Sequence, residues 1–256
     1  MPLVSKLSVE NHKLIADQFE DINPIELIGH AKPYDKTFYD RDAVDVTRDL
    51  IGSLLVRELN GETIAGFIVE AEAYKENEPA CHAHRGITKR TEVMFGQGGH
   101  AYIYFVYGMY WCLNATSEPD GKAAASLIRA VEPITGVEIM QRFRNRKNLA
   151  DLCSGPGKLT MAFGLDGKLN RHDLSKSPLR ILALPDGIKP RVKVRRSERI
   201  GLTVAKDLKY RFYADSNPHV SRKVGKFKNW YQRQKIDKIQ RNSRISSQSR
   251  ILNSGK

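Results

Sequence analysis

The sequence predicts an α+β fold, a single domain around a curved, mainly antiparallel β-sheet with flanking helices. Three observations carry that expectation. Runs of β-branched and aromatic residues recur along the chain as strands. Helical periodicity intervenes only occasionally, without the regular strand–helix–strand alternation of a parallel sheet. No internal repeat and no Gly/Ser linker marks a hinge, and 256 residues suffice for one sizeable core.

Taken in order, Met1 to His30 reads as a short helical preamble with apolar positions at Leu14, Ile15, Phe19, Ile22, Ile25 and Leu27. Asp40 to Arg57 predicts a helix, because Val44, Val46, Leu50, Ile51, Leu54 and Leu55 recur at roughly helical spacing. Asn60-Gly61 marks a hairpin turn into a strand from Glu62 to Tyr74. Lys75 to Gly99 is polar and aperiodic, a long loop of the kind that carries function or is disordered. Ala101 to Leu113 and Ala123 to Val131 are two further strands. Gly136 to Arg146 is an amphipathic helix, and Leu159 to Phe163 a short one stopped by Gly164. Leu179 to Leu184 and Val192 to Arg199 return to strand.

The chain is 41% apolar and 28% charged, an ordinary globular balance, and no stretch approaches the roughly 20 apolar residues that span a bilayer. Met1 to Glu20 has no apolar segment of the secretory kind. Three cysteines, Cys81, Cys112 and Cys153, suit a reducing compartment better than a disulfide framework. The expected location is the cytoplasm, as in a bacterial nucleoid, or the nucleus. The net charge of +13 is uneven: Asn217 to Lys256 holds 11 Lys and Arg against one acid, Asp237. With the basic stretch Lys189 to Arg199, this suits a polyanion partner through phosphate neutralisation. A solubilising, partly disordered tail is the alternative, favoured by the Ser/Asn/Gln-rich end.

Chemistry concentrates in two strands and the loop between them. In a pleated strand Glu70, Glu72 and Tyr74 share one face, and Tyr102 and Tyr104 share a face of the other. A glutamate at a strand end next to a loop can serve as a general base if a water is within reach. His82 and His84 lie in that loop, where an imidazole can cap locally or bond a ligand from either nitrogen. Cys81, His82 and His84, with Cys112 or Cys153, also invite a metal reading, but the spacing matches no zinc pattern, so no metal is expected. Tyr102, Tyr104, Phe105, Tyr107, Tyr110 and Trp111 fall within ten residues, and each buried hydroxyl needs a partner. Tyr107-Gly108-Met109 breaks the alternation as a strand-end tip carrying an exposed aromatic, suited to wedging into a base stack. A carboxylate, a histidine loop and stacked phenols suit gripping a planar ring and activating a water beside it. In so basic a protein that ring is a nucleobase. Ser154-Gly-Pro-Gly-Lys158 before a short helix could cradle a phosphate or be a plain turn, and it lacks the spacing of a nucleotide-triphosphate loop.

These residues resemble the alkyladenine (3-methyladenine) DNA glycosylases of the mammalian and bacterial alkyl-purine type. The likeness rests on Phe38-Tyr-Asp-Arg41, Val69-Glu-Ala-Glu-Ala-Tyr74, His82 with Arg85-Gly86, Val93-Met-Phe95 and Tyr102 to Asn114. It continues through Asp120-Gly121, Leu127-Ile-Arg-Ala-Val-Glu-Pro133, Cys153-Ser-Gly-Pro-Gly-Lys158, Phe212-Tyr213 and Asn217-Pro218. The resemblance implies an N-terminal extension over 1–34, a glycosylase domain over 35–222 and a basic tail over 223–256. It implies Glu72 as the base that activates water for attack at the deoxyribose C1′. Tyr74, His82 and Tyr104 would line the pocket of a flipped purine, and Asn114 would hinder guanine through its exocyclic amine. Tyr107 would fill the gap left in the duplex, and Arg129 and Lys158 would lie near the DNA backbone. The Tyr74–His82 loop is one residue shorter than in relatives, and His84 stands where an aromatic is expected.

The expectation is thus a monomeric, monofunctional enzyme without cofactor, removing alkylated or deaminated purines from double-stranded DNA. No lysine adjoins Glu72 in the sequence, which points to water as the nucleophile. A non-catalytic protein that captures damaged bases is the rival, and a metal-dependent hydrolase on the Cys/His loop a third.

Overall fold

Short capped helices lead into the sheet. The structure, a computed structural model, describes residues 14–221; the first half of the helical preamble and the basic tail expected over 223–256 lie outside the described residues. After a 3-10 turn at Ala16–Phe19 come α1 (Pro24–His30), β1 (Lys32–Pro33), α2 (Lys36–Tyr39) and α3 (Ala43–Asp49). Asn23, Asp35 and Asp42 accept from the first free amides of α1, α2 and α3, which fixes where each begins. Residues 14–31 pack on the core through Ile15, Phe19 and Leu27.

The helix expected over Asp40 to Arg57 is corrected. Its first half is α3, but Leu54–Leu59 is strand β2. Leu54, Leu55 and Val56 are all fully buried, so this strand is apolar on both faces and shows no alternation to read. The Asn60-Gly61 turn is present, with φ of 53° and 82°, and joins β2 to β3 (Glu62–Lys75). The long loop holds two 3-10 turns, His82–Arg85 and Glu92–Phe95. The single strand expected over Ala101 to Leu113 is instead a hairpin, β4 (Ala101–Val106) and β5 (Tyr110–Thr116). There follow β6 (Ala124–Thr135), α4 (Val137–Arg144), α5 (Leu149–Leu152), α6 (Pro156–Ala162), β7 (Leu179–Ala183), β8 (Val194–Ser197) and β9 (Arg211–Ala214).

The strands form one nine-stranded, curled half-barrel sheet in the order β1-β7-β2-β3-β6-β5-β4, with β9 on β3 and β8 on β9. Every pairing is antiparallel. β3 is the axis. Its first half pairs with β2 up to Phe67, its second half with β9 from Glu70 to Glu72, and β6 runs along its other edge. Register shifts between Ile68 and Ala71 mark a bulge where the strand changes partners. A bulge bends a strand and re-aims its side chains, and here it falls at Glu70. Lower in β3, Gly66 passes so close to β6 that a Cβ would lie 2.3 Å from the Glu132 carbonyl oxygen.

The main core gathers Leu50, Leu54, Ile64, Phe67, Ile68, Ile128, Val131, Leu159, Phe163 and Ile181, all fully buried. Burying each such side chain contributes about 1.5–3 kcal/mol. A second, smaller cluster joins Cys81, Ala83, Met94, Tyr102 and Ala125, with Tyr74 and Tyr104 packed against it. It forms the floor of the candidate site. Among the described residues no helix is long and apolar enough to cross a membrane.

Candidate active site

Glu70 and Glu72 are both fully buried on β3, and their partners separate them. Glu70 Oε1 accepts from Arg129 Nε at 3.0 Å, Arg211 Nε at 2.7 Å and the Ser221 hydroxyl at 2.8 Å. Its Oε2 accepts from the Ser221 amide at 2.6 Å. Three of these four bonds converge on Oε1 and one reaches Oε2, so Glu70 is tied to β6, β9 and the chain at Ser221. Burial alone would raise its pKa, but Arg129 and Arg211 outweigh burial and hold it below the ordinary value. Glu72 Oε2 accepts from the Tyr74 hydroxyl at 2.8 Å and from Arg129 Nη1 at 3.2 Å, and Oε1 from the Ile200 amide at 2.7 Å. Three donors leave one position of Glu72 open to a further hydrogen bond.

Tyr74 stands against Glu72, and Tyr102 lies in the same row of the sheet, through Leu127 and Asn114. Burial, and then the Glu72 charge, push the Tyr74 phenol well above its usual pKa, so it stays a donor. Its ring lies 4.5 Å from the guanidinium carbon of Arg199. Arg199 is held by a two-pronged pair with Glu78 and donates to the Ala73 carbonyl at 2.8 Å, so one residue braces Tyr74 and sets the neighbouring Ile200 amide. Across the site Tyr104 and Tyr102 have ring centroids 5.2 Å apart, and His82 presents its edge to Tyr104 at 4.6 Å. The Tyr102 hydroxyl lies 2.8 Å from His82 Nδ1. Partial desolvation, with Arg90 nearby, lowers the His82 pKa to about 4, so the imidazole is neutral near pH 7. Asn114 faces Tyr102 across the β4–β5 ladder and donates to its carbonyl at 2.9 Å, which fixes the amide.

Tyr107 sits at the tip of the β4–β5 hairpin and is 68% exposed, flanked by exposed Phe105 and Met109. The Met109 amide closes the turn on Val106, with φ of 55° at Tyr107 and 66° at Gly108. Both central residues are left-handed, as in a type I′ turn. Tyr107 therefore holds a bulky side chain in a strained backbone state, at a cost of about 1–3 kcal/mol.

The remaining sequence candidates fall elsewhere. Arg129, expected near the DNA backbone, is 8% exposed and engaged with Glu70 and Glu72 beneath the pocket. Lys158 pairs with Asp151 and reaches the Ser154 hydroxyl at 3.3 Å. Lys75, the lysine nearest Glu72 in sequence, is tied to Asp42 at 2.5 Å and Glu118 at 3.0 Å. His84 meets the Glu76 carbonyl, and among the described residues no three His, Cys, Asp or Glu group together as a metal site. Within the basic stretch Lys189 to Arg199, Lys193 and Arg195 face Asp215 and Arg199 is buried. The sequence reading missed Arg90, Arg199, Ile200, Arg211 and Ser221 as parts of the site. For Arg199 the one available signal was its place at the end of a basic run.

Residues 37–218 match the family described as Methylpurine-DNA glycosylase (MPG), a span that takes in every strand except β1. The chain is thus an enzyme of the DNA glycosylase class. It belongs to the methylpurine-DNA glycosylase family. A Carboxydothermus hydrogenoformans protein named "Putative 3-methyladenine DNA glycosylase" is 47% identical over 188 residues, 73% of this chain and 98% of that protein. Proteins of the same name from Methanoculleus marisnigri and Methanocella arvoryzae are 44% identical over 188 residues and 46% over 195. These cover 73% and 74% of this chain, and 97% and 96% of the relatives.

Proposed function

We propose that this chain is a monofunctional, monomeric DNA N-glycosylase that flips alkylated or deaminated purines out of duplex DNA. Its substrates are 3-methyladenine, 7-methylguanine and hypoxanthine. The observation that carries the reading is the open acceptor position on Glu72, a buried carboxylate fixed by Arg129, Tyr74 and the Ile200 amide. A water held there loses a proton to Glu72 as its oxygen attacks C1′ of the deoxyribose. The glycosidic bond breaks, and its electron pair leaves with the base. An alkylated purine carries positive charge and departs readily. A neutral base such as hypoxanthine also needs a proton.

Flipping costs a few kcal/mol, least for damaged pairs, and stacking against Tyr74 and Tyr104 returns about 1–3 kcal/mol per base. Asn114 hinders ordinary guanine through its exocyclic amine, a handicap that the labile bond of cationic 7-methylguanine offsets, and Tyr107 fills the vacated place in the duplex. Arg129 is a positioning residue for Glu72, and Lys158 lies along the path of the DNA backbone. The enzyme works wherever the cell keeps its DNA.

The test incubates the protein, with chelator present, on duplexes holding hypoxanthine or 3-methyladenine, followed by alkaline cleavage of abasic sites. Base release that vanishes in Glu72→Gln while DNA binding persists is the expected result. Tight binding to both lesions with no release from either would replace this reading with base capture alone.

A further inference from the structure

The guanidinium of Arg90 sits among the same rings that form the aromatic wall. Its carbon lies 4.9 Å from the Tyr104 centroid, its Nε donates to the Tyr102 hydroxyl at 3.1 Å, and Nη2 lies 3.4 and 3.5 Å from the two nitrogens of His82. Arginine only donates, so the Tyr102 hydroxyl accepts from Arg90 Nε and is free to direct its own proton to Nδ1 of His82. The head cannot travel far. Thr91, next in the chain, is 2% exposed, and it exchanges reciprocal hydrogen bonds with Thr88 and donates to the Gly86 carbonyl. The backbone at Arg90 is thereby clamped, and only side-chain rotation can move the charge.

We infer that Arg90 is a specificity-determining residue, a resident cation of the base pocket that handicaps positively charged bases relative to neutral ones. The inference rests on the base-flipping reading above. A purine stacking on Tyr104 must displace the guanidinium or lie against it. Displacement forfeits the same contacts whatever the base. The Coulomb contribution differs: a cationic alkylpurine competes with Arg90 for the electron-rich face of Tyr104 and is repelled by a charge the clamped backbone keeps close. A neutral purine meets no repulsion and presents acceptors that a guanidinium can satisfy. Arg90 thus holds back the bases that leave most readily and evens the enzyme's response across lesions.

The experiment measures dissociation constants with duplexes whose lesion nucleotide bears a 2′-fluorine, which blocks glycosidic cleavage. One duplex carries 7-methylguanine and the other hypoxanthine. The ratio of the two constants cancels the general attraction of DNA phosphates for Arg90. In Arg90→Gln that ratio shifts in favour of 7-methylguanine on the order of tenfold, and the shift shrinks at high salt. Arg90→Lys, which keeps the charge, stays near the wild-type ratio. Arg90 is exposed, so the thermal unfolding temperature stays near that of wild type. An unchanged ratio in Arg90→Gln, with lesions still bound more tightly than undamaged DNA, would overturn this inference alone. No preference of the wild type for either lesion would overturn the base-flipping reading with it.

Discussion

Glu70 and Glu72 share one guanidinium, with Arg129 Nε 3.0 Å from Glu70 and Nη1 3.2 Å from Glu72, yet their other partners differ. Four hydrogen bonds from two arginines and Ser221 hold Glu70, whereas Glu72 is held by Arg129, the Tyr74 hydroxyl and the Ile200 amide. The same residue type two places apart is thereby a structural anchor and a candidate base.

Neutralising each carboxylate separates the two roles. Glu70→Gln leaves Arg211 and Arg129 underpaired in a dry site and costs about 3–5 kcal/mol of stability. Glu72→Gln is milder in stability, because Arg129 keeps Glu70, but abolishes base release. Thermal unfolding and single-turnover release on the two variants give opposite rankings.

Arg129→Lys keeps the charge but not the fork that reaches both carboxylates. Base release falls on the order of a hundredfold, in the range seen when preorganised electrostatic groups are removed. The slope of log affinity against log salt stays as in wild type. A slope reduced by about one would instead mark a phosphate contact.

Tyr107→Gly relaxes a left-handed position and stabilises the hairpin by about 1 kcal/mol or more. It also deletes the exposed ring. Unfolding temperature rises while affinity for lesion duplex falls, an opposition that a purely structural tyrosine would not produce.

His219, 6% exposed, has its pKa lowered by burial to about 4 from 6.5. The unfolded chain binds the proton more readily, so the contribution to stability is complete above pH 6.5 and is lost as pH falls to about 4. The full effect is on the order of 3 kcal/mol. Denaturant unfolding across that window shows the loss, and His219→Leu flattens it.

Much of the site was legible because it is local. The pleat alone aligns Glu70, Glu72 and Tyr74, which the shared Arg129 and the Tyr74–Glu72 bond bear out, and likewise pairs Tyr102 with Tyr104. Asn60-Gly61, β7 and α4 also carry their own turn or periodicity. The misreadings have physical causes. β2 is buried on both faces and mimics a helix continuing from α3. The Tyr107-Gly108 break in alternation, legible as a tip, turns out to join two strands because aromatics continue on both sides of it. β9 is only four residues long and begins with a buried arginine. The donors to the two glutamates are remote, 57 residues away for Arg129, 128 for Ile200 and 151 for Ser221. No local pattern encodes such pairings.

The buried acid Glu132 draws together both ends of the described chain. Its carboxylate accepts from the Ile15 amide at 2.9 Å, the Ala16 amide at 2.7 Å and the Asn217 side chain at 2.5 Å, while Ser221 closes Glu70. The family match, residues 37–218, takes in Asn217 but stops short of Ile15, Ala16 and Ser221. A chain trimmed to the matched span would therefore lose two of the three donors to Glu132, and two of the four to Glu70 directly beside the catalytic candidate. Sequence similarity thus marks the shared chemistry more narrowly than the hydrogen bonds that hold its buried acids in place.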